Sequence, residues 1–321
     1  MKRFMRGFLT VGAVAGLAIG LIAGPLAKQA RADGEHFVLI SHAPDSDSWW
    51  NTIKNAIKEA GRDLKVTVDY RNPPNGDLAD MARLVEQATA ANPNGIIVTI
   101  ADFGVLKGPI AAAVKKGIPV VTINSGTAQQ SAELGALMHV GQPEYDAGLA
   151  AGKRAKEAGV KSFLCVNHFI TNPASVDRCR GFADGVGVPL GNQMLDSGID
   201  PTEVENKVTA YLRANPNTNG VLALGPNSAA PTIRALEKLK LNGKLFFGTF
   251  DLSPEIAAGI KSGTIAFAID QQPYLQGYLP VVVLTLYHRY GVLPGNNINS
   301  GPGFITKDNI ATVEKLAGEY R

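Results

Sequence analysis

The chain has 321 residues, with 31 lysines and arginines against 28 aspartates and glutamates. Five of the basic residues (Lys2, Arg3, Arg6, Lys28, Arg31) and none of the acids fall in the first 32 positions, which leaves 26 against 28 in the remaining 289. A near-neutral body without a basic cluster argues against nucleic acid as a partner, and 289 residues exceed what one hydrophobic core usually serves, so two domains are expected.

The basic residues Lys2, Arg3 and Arg6 precede an apolar stretch from about Phe8 to Ala23, and Ala30-Arg31-Ala32 places small residues at both positions a leader peptidase reads. This is the pattern of a secretory signal peptide over residues 1–32, cut after Ala32. The apolar run is shorter than the ~20 residues a spanning helix needs, and Gly12, Gly16 and Gly20 interrupt it, so a retained anchor is not expected. No cysteine stands near the cut, so no lipid anchor is expected either, and the mature chain should be an exported, soluble one.

From there, short apolar runs alternate with helical patterns. Strands are expected at 37–41, 65–70, 96–100, 119–123, 138–140, 162–167, 193–196, 220–224, 244–250 and 265–269. Helices are expected at 49–61, 78–91, 106–116, 144–157, 175–186, 202–213, 228–239, 254–261 and 273–290. Trp50, Ile53, Ile57 and Ala60 form one apolar stripe at helical spacing, and Leu78, Met81, Leu84, Val85 and Ala88 form another. Several strands are apolar on both faces, as in Gly95-Ile96-Ile97-Val98 and Val221-Leu222-Ala223-Leu224, which suits a parallel sheet covered by helices on each side. The fold class is therefore α/β, doubly wound.

The pattern also repeats. Phe37–His42 and Phe163–His168 are each a short apolar run ending in a polar residue and a histidine. Residues 78–95 are echoed by 203–220, and 118–124 by 244–251. Two similar lobes in tandem are expected, with a cleft between them where a small ligand binds.

In such sheets function lies beyond the carboxyl ends of the strands. That rule selects Ser41, His42 and the loop containing Asp47, Trp49 and Trp50; Asp102; Asn124 and Ser125; His168 and the loop to Arg178; Asn227; Asp251; and Asp270 with Gln271. These are mostly hydrogen-bonding groups beside an indole, a set that suits a ligand covered in hydroxyls. Plainer roles compete. Trp50 fits a core position, Asp47 and Asp102 fit helix caps, Ser41 fits a structural strand end, and His42 and His168 fit bonds to local backbone. Cys165 and Cys179 fit either a disulfide or two buried thiols. Cys165-x-x-His168 lacks further ligands, so no metal is expected, and no cofactor. There is no phosphate-binding P-loop, no strand-linked G-x-G-x-x-G, no G-x-S-x-G elbow and no H-E-x-x-H, which points away from an enzyme.

With the leader, the two lobes and these strand ends in hand, the chain resembles the periplasmic sugar-binding proteins of bacterial ABC importers, of the ribose- and galactose-binding type. The likeness spans residues 35 to about 310. It is carried most by Gly117–Asn124, Val221–Ser228, Gly248-Thr249-Phe250-Asp251 and Ile269-Asp270-Gln271-Gln272-Pro273. The resemblance implies a first lobe of 33–141 plus 271–300 and a second of 142–270 plus 301–321, joined by a three-segment hinge. It implies that Trp49 and Trp50 sandwich a sugar ring, with Asp47 beside them. It further implies that Asn124, Arg178 (with Arg180 as the alternative match), Asp251 and Gln271 bind hydroxyls. Ser125 stands where ribose binders carry arginine, and Gly225 where they carry asparagine, so the ligand is expected to be another monosaccharide or a small polyol. The implied partner is an inner-membrane ABC permease, with the binding protein a monomer. The alternative is a sensory protein that presents a sugar to a chemoreceptor or kinase.

Overall fold

The computed structural model describes residues 34–321, so the expected leader and its cleavage after Ala32 lie outside the described residues. Strands β1 (His36–Ile40), β2 (Thr67–Arg71), β3 (Gly95–Val98), β4 (Val120–Ile123) and β5 (Met138–Gly141) form a parallel sheet in the order β2-β1-β3-β4-β5. Strands β6 (Phe163–Asn167), β7 (Met194–Asp196), β8 (Gly220–Ala223), β9 (Phe246–Phe250) and β10 (Phe267–Asp270) repeat it as β7-β6-β8-β9-β10. Two short strands complete the sheets: β11 (Ile298–Asn299) runs parallel to β5, and β12 (Gly303–Ile305) antiparallel to β10. The internal echo thus reflects two sheets of one topology, and all ten expected strands are present.

The helices are α1 (Trp50–Leu64), α2 (Leu78–Ala91), α3 (Phe103–Lys115), α4 (Ala128–Glu133), α5 (Glu144–Glu157), α6 (Pro173–Val186), α7 (Pro201–Ala214), α8 (Pro226–Lys238), α9 (Pro254–Ser262), α10 (Pro273–Tyr290) and α11 (Ile310–Val313). Helix α3 begins three residues earlier than its apolar spacing predicts, because the Asp102 carboxylate accepts the Val105 N–H at 3.0 Å and fixes the first turn. Helix α4, absent from the expectations, has one buried residue, so no apolar stripe announces it; a Thr127–Gln130 capping box holds it instead.

The continuous apolar runs are explained by what covers each face. Along β1, Phe37 and Leu39 pack with Ile53, Ile57 and Leu284 of α1 and α10, while Val38 and Ile40 pack with Met81, Val85 and Leu106 of α2 and α3. Each such side chain contributes on the order of 1.5–3 kcal/mol on burial. In the second sheet, Leu164 and Val166 meet Val204, Val208 and Ile256, while Phe163 and Cys165 meet Ala151, Cys179 and Phe182.

Helices α5 and α6 lie backbone against backbone. A Cβ at Gly148 would strike the Arg178 carbonyl oxygen, and one at Gly181 the Tyr145 oxygen. Cys165 and Cys179 are joined as a disulfide, which ties α6 to the sheet one residue beyond Arg178. The chain crosses between the sheets at 141–144, 270–273 and 299–303. Glu319 and Tyr320, counted by sequence with the second lobe, also reach α1: Asn55 Nδ2 donates to the Glu319 carbonyl and Tyr320 Oη to Glu59. Among the described residues no helix is long and apolar enough to cross a membrane.

Candidate functional site

Both sheets reverse their winding at the first strand of the repeat, so the loops after β1 and β6 diverge at a topological switch point. A cleft opens there, at the carboxyl ends of strands from both sheets, with an empty volume of about 480 Å³ counted out to its mouth. That is within the range of small-ligand sites. Asp47, Trp49, Trp50, Asn124, Arg178, Asn227, Asp251 and Gln271 all line it.

Ser41 and Asp102 are not brought to it. Ser41 Oγ is 2.6 Å from Tyr70 Oη on the neighbouring strand, and Asp102 is spent on capping α3. The implied tryptophan sandwich is also absent, because the two indoles meet edge to face at 75° and 5.2 Å. Trp50 is 2 % exposed and packs with Ile53 and Ile57, so Trp49 offers the freer face.

Other residues that the strand-end rule selects, but to which the resemblance gives no ligand contact, join the lining: His42, Ser125, His168, and Phe169, Asn172 and Ser175 of the loop to Arg178. The paired histidines were visible as the repeated end of β1 and β6, but the local reading of them was too plain. His42 Nδ1 instead meets Thr99 Oγ1, 57 residues away, at 3.0 Å. Phe169 stands edge-on to His42 at 5.3 Å and so brings an aromatic side chain from the second lobe against the first.

Asn124 and Asp251, equivalent positions in the repeat, both have positive φ, at 57° and 61°. Non-glycine residues adopt this conformation at a cost that clusters at functional sites, and Asn and Asp tolerate it best. It turns each side chain off its strand. A directed chain of hydrogen bonds links them. Asn172 Nδ2 donates to Ser125 Oγ at 2.9 Å, and Ser125 Oγ to Asn124 Oδ1 at 2.9 Å. Asn124 Nδ2 then donates to Gln271 Oε1 at 3.2 Å, and Gln271 Nε2 to Asp251 Oδ2 at 2.9 Å. Every donor points toward the Asp251 carboxylate, so the bonds polarise one another in the same sense.

Arg178 is 6 % exposed. Its Nε and Nη2 donate to the two oxygens of Glu144 at 2.6 and 2.7 Å, Nη1 donates to the Leu224 carbonyl at 3.0 Å, and Phe250 lies beneath it at 4.3 Å. Glu144, on α5, was not foreseen: only the α5–α6 glycine contact brings it to Arg178 on α6.

Burial shapes the charges. Burial drives the Asp251 carboxyl up to about 7, against the opposing pull of Arg178, Gln271 and Trp49. Burial raises Asp47 as well, while the Trp49 backbone N–H, Asn227 and Lys54 oppose it. Burial lowers His42 to about 4 and, with Arg178 and His42 adding to it, His168 to about 3, so both imidazoles are neutral near pH 7. Trp49 Nε1, His168 Nδ1 and Asp251 Oδ1 are all buried without a completed hydrogen bond, and all three belong to residues that line the cleft. Leaving such atoms unpaired costs about 1–3 kcal/mol each, a cost a hydroxylated ligand would remove. Among the described residues no cluster of three or more His, Cys, Asp or Glu could hold a metal ion.

Fold and cleft define a two-lobed solute-binding protein. The chain belongs to the family described as periplasmic binding protein domain, whose model matches residues 37–289. It is 27 % identical over 289 residues to the xylose/arabinose-binding protein of Sulfolobus acidocaldarius, covering 85 % of this chain and 71 % of that one. Among solved structures, it is similar to a carbohydrate transporter from Acidothermus cellulolyticus 11B in complex with myo-inositol (34 % identity, TM-score 0.82, 89 % of this chain and 98 % of that one). It is also similar to GanP, a glucose-galactose binding protein from Geobacillus stearothermophilus (25 % identity, TM-score 0.77, 86 % and 99 %).

Proposed function

We propose that this chain captures a monosaccharide or small cyclic polyol in the cleft and delivers it, unaltered, to an ABC import permease. The observation that carries this reading is the convergence of three buried polar atoms without a completed hydrogen bond, on Trp49, His168 and Asp251, around one cleft with an indole at its wall. Hydroxyl groups satisfy both donors and acceptors, and an indole face suits the C–H side of a ring. The relatives' ligands, myo-inositol, xylose, arabinose, glucose and galactose, support a small polyhydroxylated ring.

The lobes are residues 33–141 plus 271–300 and 142–270 plus 301–321, hinged where the chain crosses between sheets. Ligand bridging both would favour the closed form by its extra contacts there. The protein works as a periplasmic monomer after removal of its leader, without catalysis. A thermal-shift screen of residues 33–321 against pentoses, hexoses, inositols and amino acids tests this. A rise of several degrees with a sugar or polyol supports it, and a response confined to amino acids refutes it.

A further inference from the structure

Among the described residues, Arg178 is the one arginine or lysine lining the cleft. An arginine in such a place is, taken alone, a carboxylate receptor, because its planar fork matches an acid group bidentately. Here that fork is already filled. The Nε–Nη2 edge is taken by both oxygens of Glu144, and Nη1 is bonded to the Leu224 carbonyl. Of five N–H groups three are used, and the remaining two can serve a hydroxyl or ring oxygen.

Glu144 is itself buried and held by Gln142 Nε2 at 2.8 Å, so it cannot swing away without stranding two partners. The two carboxylates of the lining, Asp47 and Asp251, can add only negative charge, and the two histidines add no positive charge at neutral pH. An anionic ligand would therefore enter a buried space with no net cation to receive it. Desolvating an unpaired charge is among the most costly events in a protein interior.

We infer that Glu144 sets the charge selectivity of the cleft: by neutralising Arg178 it makes the site accept uncharged polyols and reject sugar acids and sugar phosphates. Glu144 acts through Arg178 and is a positioning residue. The inference rests on the cleft being a sugar or polyol site, and the test separates the two.

The probe is the acid counterpart of whichever neutral ligand binds: the hexuronate for a hexose, the aldonate for a pentose, the monophosphate for an inositol. Each is paired with an uncharged analogue of similar shape, the hexuronamide, the aldonamide or, for the phosphate, the O-sulfamate ester. Calorimetry of residues 33–321 should show the acid at least ~100-fold weaker than its uncharged analogue. Glu144→Gln should shrink that ratio at least tenfold, whereas Glu144→Asp, which keeps the charge, should preserve it.

A ratio near one in the wild type overturns the inference without any variant, so a poorly folding Glu144→Gln cannot shelter it. An unchanged ratio in a folded Glu144→Gln overturns it too. Failure of every uncharged carbohydrate to bind would instead overturn the sugar reading itself, and this inference with it.

Discussion

Replacing Asp251 by asparagine separates the cost of building the cleft from the use made of it. Burial moves this carboxyl from an ordinary 3.8 to about 7. That displacement corresponds to roughly 4 kcal/mol. The sign follows from where the proton is held. The folded state binds it more tightly than the unfolded chain, so stability is greatest below about pH 4. It falls as pH rises from about 4 to about 7, and the full penalty remains above that. Asparagine keeps the size and an acceptor for Gln271 Nε2 but cannot ionise. In urea denaturation near pH 8, Asp251→Asn should be more stable than wild type by roughly 2–4 kcal/mol, somewhat less than the whole because a charge-assisted hydrogen bond is lost. Near pH 4.5 most of that difference should vanish. The variant should also lose ligand-induced stabilisation: with its one oxygen kept by Gln271 Nε2, an NH2 donor replaces Oδ1, the acceptor left open for a ligand. A variant no more stable than wild type near pH 8, or an advantage equal at both pH values, would refute the reasoning.

Gly181→Ala should push α6 off α5, destabilising the fold by about 1–3 kcal/mol and weakening ligand binding by separating Arg178 from Glu144. Paired denaturation and calorimetry would show it, and unchanged affinity would disconnect the helix contact from the site. Asp102→Ala should remove the α3 cap at a cost of about 1 kcal/mol while leaving affinity unchanged, because Asp102 lies outside the cleft; weakened binding would return it to the site.

The sequence exposed those features that repeat along one strand or helix. Runs such as Gly95–Val98 betray a parallel sheet because both of their faces are covered. Asn124 and Asp251 were legible because each ends a repeated strand, where a doubly wound sheet places its ligand groups. The same rule selected Ser41, which does not line the cleft, since position alone does not tell which of two consecutive strand-end residues turns to it. Ser41 bonds sideways to Tyr70, and His42 takes the cleft. Contacts between distant elements left no local trace. Glu144 and Arg178 are 34 residues apart and meet only because glycines let two helices touch. Phe169 reaches His42 across the lobes, which no periodicity within either segment encodes.

The chain has two tryptophans, Trp49 and Trp50, and both line the cleft, so tryptophan fluorescence, excited where tyrosine does not absorb, reports on the site. Titrating residues 33–321 with myo-inositol, pentoses and hexoses tests the central claim most directly. The account predicts a saturable change with at least one of them, which disappears in Asp251→Asn. No change with any carbohydrate, together with a saturable change on adding an amino acid, would contradict it.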